Sequence, residues 1–195
     1  MQSAAVFFDR DNTLNIDPGY LGEPEKVQLF EGVEEGIYKL KNEFNFRIIV
    51  ITNQSGITRG LITHEQVQLV NKKINKLLEK YNTKVDSFYY CPFHPDFDPP
   101  EKTDCRKPSP KLVFQAAEEF NIDLNRSYFV GDMPSDIECG INAGLKTVLI
   151  NYKNASDKII SLKKRNKTPN FITDNFLNVC DFIIDDFRGG NQFAN

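Results

Sequence analysis

The sequence predicts an α/β fold, a three-layer Rossmann-like arrangement of a parallel sheet with helices on both faces. Short apolar stretches alternate along the chain with stretches whose apolar residues recur at helical spacing. The run Ile48-Ile49-Val50-Ile51 is entirely apolar and mostly β-branched, which is typical of a strand buried on both faces. Since the chain has 195 residues, we expect a single domain over residues 1–187 and a flexible tail over 188–195.

The first half of the chain predicts three strands and two helices. The apolar run 4–8 predicts the first strand, and apolar residues at helical spacing predict a helix over 33–44. The β-branched run marks a second strand over 47–52. Thr63 and Gln66 form a capping-box pattern at the start of an amphipathic helix. A third strand is expected over 86–90.

The second half repeats the alternation. Ser109 and Pro110 predict a helix N-cap followed by a proline in the first turn. Two further strands are expected at 127–130 and 147–150. Between them lies a short helix over 136–143, which Gly144 ends. A last short strand and helix are expected within 171–187.

Two segments are irregular. Residues 90–110 are rich in Pro, Asp and His, and a loop of this length is usually functional or tethered. The polar segment 151–169, with its basic run 163–167, is interpreted as a solvated face or surface loop. The net charge of −3 and the absence of an apolar run of membrane-spanning length favour neither a nucleic-acid nor a membrane partner. The first residues lack the basic and apolar regions of a signal peptide, so we expect a cytoplasmic location. We also expect a monomer.

Four cysteines are present, Cys91, Cys105, Cys139 and Cys180. Because the cytoplasm is reducing, disulfides are not expected, and the cysteines are interpreted as packing residues or metal ligands. Cys139 and Cys180 lie in helical apolar patterns and are expected in the core.

Acidic residues follow two of the predicted strands. Asp9 and Asp11 come after the first strand, and Asp132 and Asp136 follow the strand at 127–130. The carboxyl ends of parallel strands meet at one edge of the sheet, so these carboxylates are expected close together. Like charges repel unless a hard cation such as Mg²⁺ lies among them. A solvated turn for the first pair and helix capping for the second are the alternatives.

Groups that bind phosphate accompany these carboxylates. Thr52 and Asn53 follow the second strand, and Arg106 and Lys107 precede a proline. A hydroxyl, loop amides and a lysine beside a carboxylate–Mg²⁺ site suit a phosphoryl group. A carboxylate can also attack phosphorus and form an aspartyl-phosphate.

These residues resemble the four motifs of haloacid-dehalogenase-type (HAD) phosphatases, in the family's order and across nearly the whole chain. The motifs are Asp9-Arg-Asp-Asn-Thr-Leu, Thr52, Lys107-Pro108 and Gly131-Asp-Met-Pro-Ser-Asp136. Further segments resemble the narrower family of heptose-bisphosphate 7-phosphatases, to which the histidinol phosphatases are related. These segments are 17–20, 52–57, 59–60, 91–92, 94–95 and 105–108.

The resemblance implies a Mg²⁺-dependent phosphatase that removes the C7 phosphate of D-glycero-D-manno-heptose 1,7-bisphosphate through an aspartyl-phosphate. The alternatives are a histidinol-phosphate phosphatase and a 3′-phosphatase acting on nucleic-acid ends. The spacing from Asp9 to Thr52 and from Thr52 to Lys107 leaves little room for a large cap domain, so none is expected.

The resemblance also implies individual roles. Asp9 would be the nucleophile, and Asp11 would protonate the departing oxygen and later deprotonate the attacking water. Thr52 and Lys107 would bind the transferring phosphoryl group. Asp136 would orient Lys107 or the surroundings of the metal. Mg²⁺ would be held by Asp9, Asp11 and Asp132, and the substrate by Asp17, Gly19, Tyr20, Asn53, Gln54, Ser55, Arg59, Arg106 and Met133.

Residues 91–105 depart from the family's pattern at a zinc loop. Cys91 and Cys105 align with two of its ligands, whereas Phe93 and Thr103 stand at the other two positions. His94 is a possible replacement ligand. A zinc site on this degenerate set and a loop held by prolines and aromatic packing are the two alternatives.

Two further departures lie near the phosphate site. Met133 stands where the family often has a lysine for the second phosphate of the substrate, which leaves Arg106 and Arg59 as cations. Asn12 replaces a glycine, and asparagine tolerates the left-handed backbone that such a turn needs.

Overall fold

The computed structural model describes residues 2–152 and 156–191 and contains one six-stranded parallel sheet. The strands are β1 (Ala5–Phe8), β2 (Arg47–Asn53), β3 (Ser87–Cys91), β4 (Tyr128–Gly131), β5 (Lys146–Ile150) and β6 (Phe171–Thr173). Their order across the sheet is β3-β2-β1-β4-β5-β6. The first strand therefore lies in the middle, and the order reverses beside it. This architecture confirms the predicted α/β fold.

Seven α-helices connect or flank the strands in the described part of the chain. They are α1 (Val33–Tyr38), α2 (His64–Leu78), α3 (Pro100–Thr103), α4 (Lys111–Phe120), α5 (Pro134–Asn142), α6 (Ser156–Lys164) and α7 (Phe176–Asn191). α1 continues into a π-helical turn over Lys39–Glu43. The capping box of α2 is confirmed, because Gln66 N donates to Thr63 Oγ1 and Thr63 N donates to Gln66 Oε1.

The core consists of two main layers, one on each face of the sheet. Alternate residues of a strand point to opposite faces. Val6 and Phe8 accordingly pack into the layer under α1, α2 and α7. Ala5 and Phe7 pack into the layer under α4, which Cys139 of α5 also joins. Both faces of β1 are thus covered, and its carboxyl end opens into the site described below.

The segment 151–169 differs from the prediction of a solvated face or loop, because it contains α6. Leu162 is the buried residue of this helix and packs with Ile137 and Leu149. A helix with so little buried surface leaves a weak periodic pattern in the sequence. That weak pattern explains why the prediction missed it.

Two other boundaries differ from the expectations. α4 begins after Pro110, which is its N-cap, so the prediction of Ser109 as N-cap is wrong. α7 continues to Asn191, past the expected end of the domain at residue 187, and residues 192–195 of the expected tail lie outside the described residues. None of the described helices is long and apolar enough to cross a membrane.

Candidate active site

A cavity of about 360 Å³ opens where β1, β2 and β4 end. Most of the site residues proposed from the sequence line this cavity. Arg59 is not among the lining residues. The lining residues proposed from sequence are Asp9, Asp11, Asp17, Gly19, Tyr20, Thr52, Asn53, Gln54, Ser55, Arg106, Lys107, Asp132, Met133 and Asp136. These residues come from distant parts of the sequence, and the parallel sheet brings them to one edge.

Three buried carboxylates form the floor of the cavity. Asp9, Asp132 and Asp136 each place one oxygen within 4.8 Å of the others. Burial, opposed by Lys107 and reinforced by the charges of Asp136, Asp132 and Asp11, raises the pKa of Asp9 to about 8. Burial and the charge of Asp136 raise the pKa of Asp132 to about 6. Such mutual repulsion is what a bound divalent cation relieves, and three oxygen ligands suit Mg²⁺.

Lys107 lies between two of these carboxylates. Its Nζ is 2.5 Å from Asp9 Oδ1, 2.7 Å from Asp136 Oδ1 and 2.8 Å from the Ile51 carbonyl oxygen. Burial alone would lower the pKa of Lys107, but the charges of Asp136 and Asp9 raise it above its usual value. The ammonium is therefore held charged and fixed at the end of β2.

Asp11, which the sequence proposed as a third Mg²⁺ ligand, does not belong to this acidic group, because its carboxylate is bound by three other side chains. Arg10 donates from Nε (3.1 Å) and Nη2 (2.9 Å), Asn15 Nδ2 donates at 3.0 Å, and Gln54 Nε2 donates at 2.7 Å. Burial acts to raise the pKa of Asp11, but the charge and hydrogen bonds of Arg10, with those from Asn15 and Gln54, lower it overall. Asp11 is thus positioned as an anion beside the cavity.

The last residues of β2, with Gln54 just after it, link Thr52, Asp11 and Lys107 around the cavity. Gln54 Nε2 also donates to Thr52 Oγ1 at 2.9 Å, so one amide links Thr52 with Asp11. Asn53 pairs with the backbone of Lys107, accepting from its N–H at 3.0 Å and donating to its carbonyl oxygen at 3.3 Å. Asn53 therefore fixes the chain that carries Lys107, a contact that the sequence did not indicate.

The loop after β1 forms one wall. Asn12 has φ of 59°, in the left-handed region that the sequence predicted for it. Asp17 Oδ1 accepts from the N–H groups of Gly19 (3.0 Å) and Leu21 (3.1 Å), which holds Tyr20 at the mouth of the cavity. Burial and the charge of Asp11 raise the pKa of Asp17.

The two arginines proposed from sequence have different positions. Arg106 lines the cavity and donates from Nη1 to the Phe93 carbonyl oxygen at 3.3 Å. Arg59 lies with its guanidinium 5.0 Å from the centre of the Phe97 ring, a cation–π contact outside the cavity lining. The expected place of Arg59 among the pocket residues is therefore not observed.

A disulfide joins Cys91, at the end of β3, to Cys105, which precedes Arg106. This bond corrects the expectation that the chain has no disulfide. It also leaves neither sulfur as a thiolate, so the zinc set of Cys91, His94 and Cys105 is not formed in this structure. His94 Nδ1 instead accepts from the N–H of Asp96 at 3.2 Å. Cys139 and Cys180 are buried free thiols, as predicted.

Four residues at the site were not identified as functional from sequence. Arg10 is fully buried, and besides Asp11 it contacts Asn71 of α2, to which Nη1 donates at 2.9 Å. Asn15 and Arg10 are close to Asp11 in the sequence, and that closeness was the signal that could have identified them as its hydrogen-bond partners. Lys158 of α6 reaches Asp132 Oδ2 at 3.1 Å. No sequence signal pointed to Lys158 or Asn71.

Comparisons with known proteins agree with this geometry. Residues 104–179 match the HAD-hydrolase-like family model. The chain is 45% identical over 160 residues to D-glycero-D-manno-heptose-1,7-bisphosphate 7-phosphatase of Chlorobaculum tepidum, covering 77% of this chain and 80% of that protein. It is 38% identical over 149 residues to the D-glycero-beta-D-manno-heptose-1,7-bisphosphate 7-phosphatase of Yersinia pestis, covering 75% and 79%.

A similar fold occurs in a crystal structure of D,D-heptose 1,7-bisphosphate phosphatase from B. bronchiseptica. The TM-score is 0.80 at 23% identity, covering 94% of this chain and 99% of that chain. That structure is a complex with magnesium and phosphate.

Proposed function

This chain belongs to the D-glycero-D-manno-heptose-1,7-bisphosphate 7-phosphatase family of HAD-like phosphatases, and on that premise we propose the following reaction. The protein hydrolyses the phosphate monoester at C7 of D-glycero-D-manno-heptose 1,7-bisphosphate. The products are the heptose 1-phosphate and inorganic phosphate. The observation that carries the proposal is the placement of Asp9, Asp11 and Lys107 around one cavity at the end of β1.

The phosphoryl group to be transferred binds between the ends of β1 and β2. Lys107 Nζ provides a fixed positive charge 2.5 Å from Asp9 Oδ1, and the buried Thr52 lines the same cavity. A preorganised cation and donor favour the charge that develops on phosphoryl oxygens in the transition state. Asn53 keeps this lysine in place through its contacts with the Lys107 backbone.

The acidic group fits Mg²⁺. Three buried oxygens from Asp9, Asp132 and Asp136 lie within 4.8 Å of one another, and burial together with the neighbouring carboxylates raises the pKa values of Asp9 and Asp132. Asp9 and Asp132 would hold the ion, and Asp136 divides its contacts between this group and Lys107. When bound, Mg²⁺ neutralises the carboxylates and the phosphoryl oxygens, so that an anionic nucleophile and an anionic ester can approach each other.

In the first step a carboxylate oxygen of Asp9 attacks phosphorus, and the bond from phosphorus to the C7 oxygen breaks. The leaving oxygen takes a proton from Asp11. The free carboxylate of Asp11 has a lowered pKa, and a phosphate dianion bound beside it raises that pKa again by like-charge repulsion. Arg10, Asn15 and Gln54 fix the orientation of Asp11 throughout.

In the second step water attacks the phosphorus of the aspartyl-phosphate and Asp11 takes one of its protons. The acyl-phosphate P–O bond breaks, which releases inorganic phosphate and restores the carboxylate of Asp9. In this step Asp11 acts as a base and must be ionised. The hydrogen bonds that lower its pKa are compatible with that role, because they hold the ionised carboxylate in one orientation.

Steady-state kinetics on two substrates test the proposal. We expect kcat/KM for the 1,7-bisphosphate to exceed that for histidinol phosphate at least roughly tenfold, or about 1.4 kcal/mol in transition-state binding. The variant Asp9→Asn should lose turnover and remain folded. Asp104→Asn, which removes an exposed ion pair with Lys111, is the matched control and should keep full rate. A preference for histidinol phosphate would contradict the substrate, and full activity of Asp9→Asn would contradict the nucleophile.

A further inference from the structure

Asn71 lies on α2, a helix from which none of the described residues lines the active-site cavity. Its side chain nevertheless connects to the site. The residue is 7% exposed, and Asn71 Oδ1 accepts from Arg10 Nη1 at 2.9 Å. A buried amide on the apolar face of a helix needs such a partner, because an unpaired polar group is costly away from water. The contact joins α2 to the residue that stands between Asp9 and Asp11.

α2 is a firm support for this contact. The capping box closes its N-terminus, and Val70 and Ile74, which flank Asn71 on the same helix, are fully buried. Both pack into the core layer that contains Phe8 of β1. Groups held by a packed helix are placed more accurately than groups held by a loop. Asn71 therefore gives the loop after β1 a fixed point on a rigid element.

Arg10 transmits this fixed point to Asp11. Its side chain is fully buried, and Nε and Nη2 donate to the two carboxylate oxygens of Asp11 at 3.1 and 2.9 Å. Nη1 donates to Asn71. Because a guanidinium is planar, three hydrogen bonds in different directions fix both its position and its plane. Two of them end on the two oxygens of Asp11, so the same guanidinium sets the plane of that carboxylate.

The other partners of Asp11 do not replace this support. Asn15 belongs to the same loop as Asp11, and Gln54 follows β2, so neither touches α2 in its contact with the carboxylate. Without the Asn71 oxygen, Arg10 Nη1 becomes a buried donor that has lost this acceptor. Such a loss is unfavourable, and it favours rotation of the guanidinium toward another acceptor or water. The carboxylate of Asp11 then turns with the group that binds both of its oxygens.

We propose that Asn71 is a positioning residue for the proton transfers of Asp11, and that it acts through the guanidinium of Arg10. This inference rests on the proposed function, in which Asp11 protonates the leaving oxygen and later takes a proton from water. Both transfers require a carboxyl oxygen within hydrogen-bond reach of the reacting oxygen, and a turned carboxylate loses that reach. The groups proposed to bind the phosphoryl group, Lys107 and Thr52, do not depend on Asn71. The effect of Asn71 is therefore on turnover rather than on substrate binding.

Matched substitutions on α2 test the inference with the heptose 1,7-bisphosphate as substrate. Asn71→Leu and Asn71→Ala remove the acceptor, and kcat should fall about 10- to 100-fold, part of what a positioned acid–base group contributes. KM should change less than about threefold. Asn71→Asp keeps the acceptor oxygen and should retain most of the activity. Asn75→Leu is the control one turn further along α2, because it removes two hydrogen bonds with the Val85 backbone. It should lower the melting temperature and leave kcat and KM unchanged.

A change of leaving group gives a second readout. The leaving oxygen of the sugar needs a proton, whereas 4-nitrophenyl phosphate releases an anion that is stable without one. kcat/KM reports the steps up to formation of the aspartyl-phosphate. For Asn71→Leu it should fall at least roughly tenfold on the sugar phosphate and less than about threefold on the nitrophenyl ester. Asp11→Asn, which removes the acid itself, provides the reference pattern.

The outcomes separate the hypotheses. Unchanged kinetics in folded Asn71→Leu and Asn71→Ala would overturn the inference, as would equal losses on the two esters or an equal loss of kcat in Asn75→Leu. A loss in Asn71→Asp as large as that in Asn71→Leu would overturn it too, because the acceptor is still present. The wild-type arm tests the proposed function separately, since failure to hydrolyse the bisphosphate contradicts that function whatever the variants show. Circular dichroism and thermal melting establish which variants are folded.

Discussion

Lys107 is the residue on which the electrostatic balance of the cavity depends most. It is 4% exposed and contacts two carboxylates that are themselves buried. Taking three charges out of water is unfavourable unless each is paired. The ammonium therefore stabilises the folded chain as well as the phosphoryl group proposed to bind there.

We predict that Lys107→Met lowers the free energy of unfolding by about 3 kcal/mol in metal-free buffer above pH 8, where Asp9 is ionised, because it leaves Asp9 and Asp136 buried and without their cation. Urea denaturation followed by circular dichroism measures the loss. Lys111→Met removes the exposed pair with Asp104 and should cost less than about 1 kcal/mol. Equal losses in the two variants would contradict the assignment of Lys107 as a buried counter-ion.

Asp9 gives a prediction about pH. Its pKa in the fold is about 8, against an ordinary value of 3.8, so the folded state binds the proton more tightly than the unfolded state. The stability that this proton binding contributes is complete below about pH 4 and is lost as pH rises toward 8. In metal-free buffer, wild type should therefore lose stability relative to Asp9→Asn as pH rises through this window. A constant difference between the two proteins would contradict the raised pKa.

The residue-level predictions from sequence succeeded for residues at or just beyond the carboxyl ends of strands. The strand positions placed Asp9, Thr52 and Asp132 at one edge, and the cavity brings them together with Lys107. The contacts of Asn53 with the Lys107 backbone and of Arg10 with Asn71 could not be predicted, because they depend on side-chain directions. Lys158 could not be placed, because α6 was not recognised as a helix.

At the scale of elements, α5 is the helix whose distance from the sheet sets the position of Asp136. Its Gly140 lies against β4 and β5, since a Cβ added there would come within 2.5 Å of Thr147 Cγ2 and 2.8 Å of Phe129 Cβ. Glycine is thus required by close approach. α5 carries Asp136, one of the three clustered carboxylates, so a change in how α5 packs on the sheet also changes the geometry of the proposed metal site.

We predict that Gly140→Ala lowers the free energy of unfolding by about 1–3 kcal/mol, the usual cost of overpacking a core. It should also weaken Mg²⁺ binding, because α5 moves away from β4 with Asp136. Calorimetric titration with Mg²⁺ and thermal melting give the two readouts. Gly189→Ala in α7, where nothing lies within 4 Å of the added carbon, is the control and should be neutral or stabilising.

The loop from 92 to 104 contains the short helix α3, and the disulfide between Cys91 and Cys105 joins its two ends. The cysteines are 14 residues apart, and a bond closing such a loop stabilises a fold by about 3 kcal/mol in the chain-entropy model. The sequence pointed to a metal loop because it showed two cysteines near one histidine. It could not show that the two sulfurs lie within bonding distance.

Thiol titration tests this loop directly. Denatured, unreduced protein should expose two reactive thiols per chain, those of Cys139 and Cys180, and reduction should raise the number to four. Four thiols before reduction would contradict the disulfide. Cys105→Ser should lower the melting temperature under non-reducing conditions, whereas wild type and variant should converge when dithiothreitol is present.

At the scale of the whole molecule, the sheet order places the reacting groups at the ends of central strands and two further cationic residues on the segments that flank them. β1, β2 and β4 are neighbours in the sheet. Asp9 and Asp132 directly follow β1 and β4, and β2 contains Thr52 and the Ile51 carbonyl oxygen that accepts from Lys107. The loop after β3 and the helix after β5 supply Arg106 and Lys158. The alternation of strands and helices was predictable because periodicity is local, whereas the pairing of Lys158 with Asp132 depends on long-range packing and was not.

The central position of β1 has a consequence for how the chain is made. Its first partner, β2, emerges from the ribosome about 40 residues later, but the partner on its other edge is β4, whose register pairs Val6 with Tyr128. Until more than 120 residues have been synthesised, one edge of the most buried strand is unpaired. Pairings this distant fold slowly and leave a template for association between nascent chains. We expect the yield of soluble protein to depend on translation rate and chaperones more than the stability of the finished fold indicates.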